Sequence, residues 1–127
     1  MRKQYHFRKS ELGLLTWHVH RLIELTKDSD QFEIPISKIE EMNESYWFNG
    51  ENPTCKDLVA HMLLIEAADL SYPIILCPND RLMDGMHRVA KAYLAGHTHI
   101  KGSSQLQVLP EPDYVGVDPD NLHYDEV

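Results

Sequence analysis

Residues 72–102 hold the side chains whose types and order point most clearly to chemistry. A short apolar run is followed by a turn, a second short run that ends in Asp84-Gly85, and a helical pattern that opens with His87-Arg88. Backbone amides in the first turn of a helix are free to donate, and the helix dipole is positive there. This order therefore predicts a site for an anion such as phosphate.

Each residue of this motif, residues 84–88, would have a defined task in such a site. Gly85 lacks the Cβ that would hold a ligand away from the backbone, and it tolerates a positive φ. Arg88 could donate a charge-assisted, bidentate hydrogen bond to phosphate, and His87 could donate another. Spacing alone favours equally the alternative of a tight turn with Arg88 paired to a surface acid and His87 capping locally, because one glycine before His-Arg is a weak pattern.

Size and charge limit what kind of protein carries this motif. The chain has 127 residues, 43% of them hydrophobic, which predicts one domain with its own core. A net charge of −8 argues against a protein whose main task is to hold a nucleic-acid backbone. The acids gather in the tail, whereas residues 81–101 hold four cations against Asp84, so the motif lies in a basic patch of an acidic protein.

The cysteines and the N-terminal segment predict a cytoplasmic protein. Cys55 and Cys77 form neither a CxxC pair nor a disulfide framework, which is typical of reduced thiols. The first residues are basic, but His18, His20 and Arg21 interrupt the apolar stretch before it reaches the length of a signal core or a membrane span.

Two His-x-His pairs could start a metal site only on a strand, where alternate residues share a face. His18 and His20 fall in a predicted helix, where side chains two residues apart diverge. His97 and His99 lie at a helix-to-strand turn with no third ligand nearby in the sequence. No metal site is predicted at either pair.

The segments before residue 54 must position the motif from its N-terminal side. Residues 10–27 have a helical period with Ser10 as N-cap, and residues 31–39 alternate as a half-buried edge strand. Residues 38–44 are too polar for the core and suggest a short helical turn. The aromatic residues of segment 45–53 either anchor a loop or line a cleft, and the anchor is the favoured interpretation.

The segments around the motif carry clearer signals. Thr54 and Asp57 resemble a capping box, so residues 55–68 are predicted to form a helix, and its apolar composition predicts deep burial. Residues 72–77 and 81–83 flank turn chemistry and are predicted to pair as a hairpin.

The remaining elements complete an α+β domain with a mixed sheet and packed helices. The helix of the motif, residues 87–95, should end at Gly96 in a left-handed conformation, and residues 99–109 should form the last strand. The predicted organisation is an N-terminal helical extension (1–30), the domain proper (31–109) and an acidic, extended or partly disordered tail (110–127).

Together with its flanks, the motif resembles the signature of the ParB/sulfiredoxin superfamily, which includes ParB-like N-terminal and ParB-like nuclease domains. Members carry Gly-x-His/Arg-Arg, an alanine two residues later and an Ala-Gly pair before the next strand, as residues 85–96 do here. The resemblance extends upstream through the predicted helix and the Tyr-Pro-Ile-Ile run at residues 72–75, and it covers residues 54–108. It implies the small α+β fold of that superfamily.

The resemblance also implies a ligand. The motif binds CTP in ParB, ATP in sulfiredoxin and ADP in a free-serine kinase, so by position Gly85, Met86, His87 and Arg88 would contact a nucleotide, with or without Mg²⁺. Met86 stands where sulfiredoxin has its catalytic cysteine, which argues against sulfiredoxin chemistry. ParB continues into a helix-turn-helix region, whereas this sequence reaches an acidic tail, so ParB-type centromere binding is not expected.

Three classes of function follow, and the first is favoured. The chain would bind a nucleotide or phosphorylated small molecule, and any phosphoryl transfer or hydrolysis would need a carboxylate, for which Asp84, Glu40 and Glu41 are the candidates. Acids after a strand are nevertheless more often a solvated face. The alternatives are a DNA-associated partition or nuclease-like factor and a protein-interaction module without catalysis. The sequence does not fix the oligomeric state.

Overall fold

The computed structural model describes residues 4–103 and 108–124 and has an α+β architecture. Its described part contains three α-helices, which are α1 (Val19–Thr26), α2 (Cys55–Ala67) and α3 (Met86–Leu94). The strands in this part are β1 (Tyr5–Ser10), β2 (Gly13–His18), β3 (Gln31–Pro35), β4 (Ile75–Leu76), β5 (Leu82–Asp84), β6 (His99–Ser103) and β7 (Tyr114–Val115). Short 3₁₀ turns occur at Ile36–Lys38, Glu40–Asn43 and Pro119–Asn121.

The strands form small antiparallel sheets. β2 lies between β1 and β7, β3 pairs with β6, and β4 pairs with β5. One isolated parallel bridge in the described chain, between Ile74 and Gly102, links the last two pairs. It consists of 3.0 Å hydrogen bonds from the Ile74 amide to the Lys101 carbonyl and from the Ser103 amide to the Ile74 carbonyl. Of the mixed sheet that the sequence predicts, this bridge is the one parallel contact among the described residues, whose strands otherwise pair antiparallel.

The β4–β5 hairpin lies between two hydrophobic cores. Alternate residues of a strand point to opposite sides, so the hairpin buries both of its faces. One set packs with α3, β6 and the 3₁₀ turns in the first core, and the other packs with β2 and α1 in the second core. The first set is Ile74, Leu76 and Leu82, and the second is Ile75, Cys77 and Met83. Burial on both faces explains why this segment is a continuous apolar run.

The helix predicted over residues 10–27 is wrong in its first part, which forms the end of β1, the hairpin turn and β2. Ser10 closes the hairpin turn instead of capping a helix, because its Oγ donates to the Gly13 carbonyl at 2.6 Å and accepts from the Leu12 amide at 3.2 Å. Gly13 has a φ of 108°, which no α-helix contains. The expected N-terminal helical extension is thus a hairpin followed by the short helix α1.

The tail predicted to be extended or partly disordered packs against the N-terminal hairpin. β7 pairs with β2. The Trp17 indole N–H donates to the Pro110 carbonyl at 2.8 Å, and the His18 amide donates to the Asp113 carboxylate at 2.9 Å. Hydrogen bonding to β2 orders this acidic segment despite its composition.

The last predicted strand is shorter than expected. β6 ends at Ser103, residues 104–107 of the prediction lie outside the described residues, and residues 108–109 are not in a strand. Residues 1–3 and 125–127 also lie outside the described part. None of the described helices combines the length and the apolar character that crossing a membrane requires.

Candidate functional site

The predicted anion site lies where the β4–β5 hairpin delivers the chain to α3. β5 ends at Asp84, Gly85 is the N-cap with a φ of 111°, and α3 begins at Met86. Glycine is required here for two reasons. The φ value lies in the left-handed region, and a Cβ would lie 2.6 Å from Cγ2 of Ile74 and 2.9 Å from Nη2 of Arg88. The turn thus uses the positive φ that a glycine tolerates.

Arg88 folds back over Gly85 and pairs with Asp84. Its Nη2 lies 2.6 Å from Oδ2 of Asp84, and the two side chains are only 15% and 14% exposed. Burial raises the pKa of the Asp84 carboxyl, although the Arg88 guanidinium opposes this shift. One alternative from the sequence paired Arg88 with a surface acid. Its partner is an acid, but it is the buried Asp84 of the motif itself. A guanidinium has five N–H donors, so a ligand can bind Arg88 while Asp84 stays in place.

His87 belongs to an aromatic stack that spacing does not reveal. Its Nε2 lies 2.9 Å from Nδ1 of His61 on α2. The two imidazoles lie edge to edge on the indole of Trp47, with ring centroids 4.6 and 4.4 Å from it and interplanar angles of 13° and 18°. Trp47 packs against the first core and also lines a small cavity, so the aromatic segment 45–53 is both anchor and wall.

The stack keeps both imidazoles neutral near pH 7. Burial, and then the neighbouring His61, lower the pKa of His87 to about 4. Burial also lowers the pKa of His61, although Asp57 opposes that shift. Because Nε2 of His87 is engaged with His61, its Nδ1 is the ring atom left to bond a ligand. His87 would therefore contact a phosphate as a neutral hydrogen-bonding group and not as a cation.

Replacing His87 with glutamine is expected to reduce the acid sensitivity of folding. The imidazole has its ordinary pKa of 6.5 when unfolded and about 4 when folded, so between these values the unfolded state binds more protons. The free energy of unfolding of the wild type therefore falls as the pH drops through this window. These two pKa values correspond to about 2 kcal/mol between about pH 7 and about pH 5. Because water screens a ring that is only partly buried, the expected share of His87 is about 1 kcal/mol, measured by urea unfolding at both pH values.

The exposed His97 offers a matched control for this measurement. His97→Gln should keep the wild-type pH dependence, because its side chain lies at the surface. Buried His6, whose pKa burial and Arg8 lower to about 3, contributes equally in every variant. A His87→Gln protein that loses as much stability on acidification as the wild type would contradict the assignment.

A cleft of about 660 Å³ opens at the start of α3 and is called here the α3 cleft. One side is formed by the motif, and the other by α1, the end of α2 and the residues before β4. The motif contributes Asp84, Gly85, Met86, His87 and Arg88, and the facing residues include Ile23, Lys27, Leu64, Tyr72 and Pro73. Its volume is typical of small-molecule sites, which combine apolar walls with a few polar groups.

Met86 contributes to this cleft differently from its neighbours in the motif. Its side chain is only 7% exposed and belongs to the first core. Contact of Met86 with a ligand would therefore be through its backbone amide, which has no carbonyl one turn earlier in α3 to bond.

Glu41 and Glu40, the other two catalytic candidates, are not among the residues that line the α3 cleft. Glu41 is 1% exposed, accepts a 2.7 Å hydrogen bond from the Leu82 amide and pairs with Nε of Arg81 at 3.2 Å. Glu40 is exposed and lies 3.6 Å from Nη1 of Arg81. Of the three predicted carboxylates, the structure brings only Asp84 to the motif.

The burial of Glu41 corrects the expectation that residues 38–44 stay out of the core. The predicted helical turn is present, but Glu41 points inward because Arg81 and the Leu82 amide satisfy one of its oxygens. Glu44 binds the same Arg81 by two hydrogen bonds of 2.7 and 2.8 Å, which lower the pKa of its carboxyl. Glu41 and Glu44 therefore attach the 3₁₀ turn Glu40–Asn43 to the start of β5.

Metal ligands are sparse in the part of the chain that the structure describes. No group of three or more His, Cys, Asp or Glu side chains is placed there to hold a metal ion. The rings of His18 and His20 lie 4.9 Å apart, closer than a continuous helix would place them, because His18 ends β2. Mg²⁺ commonly takes one or two carboxylates plus substrate phosphates, and Asp84 could supply one carboxylate to a nucleotide-bound ion.

Comparison of the chain with protein-family models, with curated proteins and with solved structures finds no match. The class of protein is therefore defined by fold and site alone. It is a small α+β domain whose glycine-capped helix start borders a cleft of ligand size.

Proposed function

We propose that this domain binds a nucleotide or another phosphorylated small molecule in the α3 cleft. The observation that carries the proposal is that Gly85, His87 and Arg88 line one side of that cleft together. The first-turn amides of α3 and the positive end of its dipole add donors and positive potential at the same place. The charge-assisted contact from Arg88 would contribute about 1.5 to 3 kcal/mol to binding a phosphate.

Membership of the ParB/sulfiredoxin superfamily is part of this proposal. Its support is the order of elements, in which a hairpin leads through a left-handed Gly85 into α3, and α3 ends at Gly96 with a φ of 82° before β6. That order agrees with the sequence signature on which the resemblance rests. CTP, ATP and ADP are accordingly the first ligands to test.

The facing wall suits the remainder of a nucleotide. Ile23, Leu64 and Tyr72 expose 40%, 52% and 62% of their surfaces and line the cleft, so a base could cover apolar area there. Lys27 also lines the cleft and adds a second cation to that of Arg88. A nucleotide would therefore place its phosphates at the motif and its base against Ile23, Leu64 and Tyr72.

Asp84 would be the base if the bound nucleotide reacts. In hydrolysis or phosphoryl transfer, the attacking oxygen bonds the terminal phosphorus, its proton passes to the Asp84 carboxylate, and the bond to the leaving phosphate oxygen breaks. Asp84→Asn should then retain nucleotide binding and lose turnover. Chromatography of incubated nucleotide with Mg²⁺ measures the turnover.

Binding is tested by thermal shift and calorimetry with CTP, ATP, ADP and GTP, each with and without Mg²⁺. A ligand at about 100 times its Kd should raise the free energy of unfolding by about 2.7 kcal/mol. Arg88→Ala should weaken binding by about 10- to 150-fold, because it removes the charged donor. Lys38→Ala is the control, since Lys38 is an exposed cation that does not line the cleft.

Two results would contradict the proposal. One is the absence of any stabilisation by these nucleotides at millimolar concentration. The other is equal binding by the Arg88→Ala and Lys38→Ala proteins. Salt-sensitive binding of duplex DNA in a gel shift would favour the DNA-associated alternative, against which the net charge of −8 argues.

A further inference from the structure

α2 is apolar around its whole circumference and is nevertheless largely exposed. Of its 13 residues, all within the described chain, only Ile65 is buried. The large apolar side chains that stand at the surface are Leu58 (49% exposed), Val59 (58%), Met62 (43%), Leu63 (63%) and Leu64 (52%). A helix that is hydrophobic all round is normally enclosed on every side. The deep burial that the sequence predicts for α2 is therefore not reached within one chain.

One exposed stripe of α2 is complementary to itself. Lys56, Val59, Leu63 and Glu66 follow one another at spacings of three, four and three, which places them along one face. Consider two such helices packed antiparallel about a two-fold axis level with His61. Position 56 of each helix then meets position 66 of the other, and position 59 meets position 63. An ion pair between Lys56 and Glu66 then lies at each end of the contact, and Val59 packs against Leu63 in its middle.

The two charges of this stripe oppose the dipole of their own helix. Lys56 lies in the first turn, where the positive end disfavours a cation, and Glu66 lies in the last turn, where the negative end disfavours an anion. In an antiparallel pair, each charge instead lies beside the favourable end of the other helix. The capping box of Thr54 and Asp57 shows that the start of α2 is otherwise well satisfied.

We infer that the domain forms a two-fold symmetric dimer through the Lys56–Val59–Leu63–Glu66 stripe, with a second copy of this chain as the partner. A contact that uses the same patch on both copies closes upon itself and gives no polymer. One helix from each copy buries less than the standard interface of about 1,600 Å², so the dimer is expected to be weak and to depend on protein concentration.

Sedimentation of the full chain, without nucleotide, from about 1 µM to about 1 mM tests the dimer. The wild type should pass from monomer to dimer over this range. Lys56→Glu and Glu66→Lys each place like charges at both ends and should weaken the dimer at least about tenfold. The double reversal recreates both ion pairs but places each charge beside the unfavourable end of the partner helix, so its affinity should lie between that of the single reversals and that of the wild type. Because each reversal agrees with the helix dipole, thermal unfolding should show that the variants stay folded.

Leu63→Glu tests the apolar middle of the stripe and should leave a monomer over the whole range. Leu12→Glu is its matched control, because Leu12 is 79% exposed in the β1–β2 turn, away from α2. A wild type that stays monomeric overturns the inference. So does a dimer that either single reversal or Leu63→Glu leaves intact, and so does a double reversal that is no better than the single ones.

Discussion

Replacing Gly85 with alanine is expected to lower the free energy of unfolding by about 3 kcal/mol and to abolish ligand binding in the α3 cleft. The φ of 111° strains any residue with a Cβ. The new methyl group would also meet Cγ2 of Ile74 at 2.6 Å, and Ile74 is fully buried, so it cannot move aside. On its other side lies Nη2 of Arg88 at 2.9 Å, so the guanidinium would be displaced from Asp84. Urea unfolding and nucleotide titration measure the two effects.

Gly96→Ala is the matched control for this change. Gly96 also has a positive φ, of 82°, but no atom lies within 4 Å of the position that its Cβ would take. Its substitution should therefore cost only the conformational strain, about 1 kcal/mol, and leave binding unchanged. The close packing at Gly85 would be refuted if both alanine proteins had the same stability and affinity.

Glu41→Ala is expected to cost about 1 to 3 kcal/mol of stability, chiefly because a buried amide loses its acceptor, while the half-exposed Arg81 keeps its two hydrogen bonds to Glu44. Removal of this carboxylate leaves the buried Leu82 amide without its acceptor and Arg81 without its contact at Nε. Glu41→Gln keeps an oxygen for the amide and should lose less. Urea unfolding at about pH 7 gives the three stabilities, with the wild type as reference.

Glu40→Ala separates this structural role from surface charge. The Glu40 side chain is 80% exposed and lies at 3.6 Å from the same arginine, so its loss should change stability by less than about 0.5 kcal/mol. Neither substitution should alter the affinity of folded protein for nucleotide. A stable Glu41→Ala protein that has lost nucleotide turnover would instead show that Glu41 acts in the chemistry.

Elements whose signals are local could be predicted from the sequence. Thr54 and Asp57 form the predicted capping box, the apolar runs around the Pro-Asn-Asp turn form the predicted hairpin, and Gly96 ends α3 with a positive φ. The first helix could not be predicted correctly, since apolar residues at Leu12 and Leu15 fit a helical period as well as a hairpin. Tertiary packing decides that segment, because the fully buried Trp17 belongs to the core on the far side of β4–β5.

The candidate site likewise combines residues that the sequence could identify with one, His61, that it could not. The residues from Asp84 to Arg88 are adjacent in sequence, so a motif could identify them. His61 lies 26 residues from His87, and no spacing rule connects the two imidazoles. Its one sequence signal is its position four residues before buried Ile65, on the same face of α2. Helical spacing does not predict the pairing of Arg88 with Asp84, because Asp84 ends β5 and the left-handed Gly85 separates it from α3.

The hairpin that both cores share makes their melting cooperative. Ile75, Cys77 and Met83 belong to the second core, and they lie on the strands that hold Gly85 against Ile74. Detachment of β1–β2 and its docked tail would therefore loosen the entrance to α3 as well. Under the proposed function, a ligand bound in the α3 cleft would therefore stabilise docking of the acidic tail on β2, and docking of the tail would stabilise ligand binding, through β4 and β5.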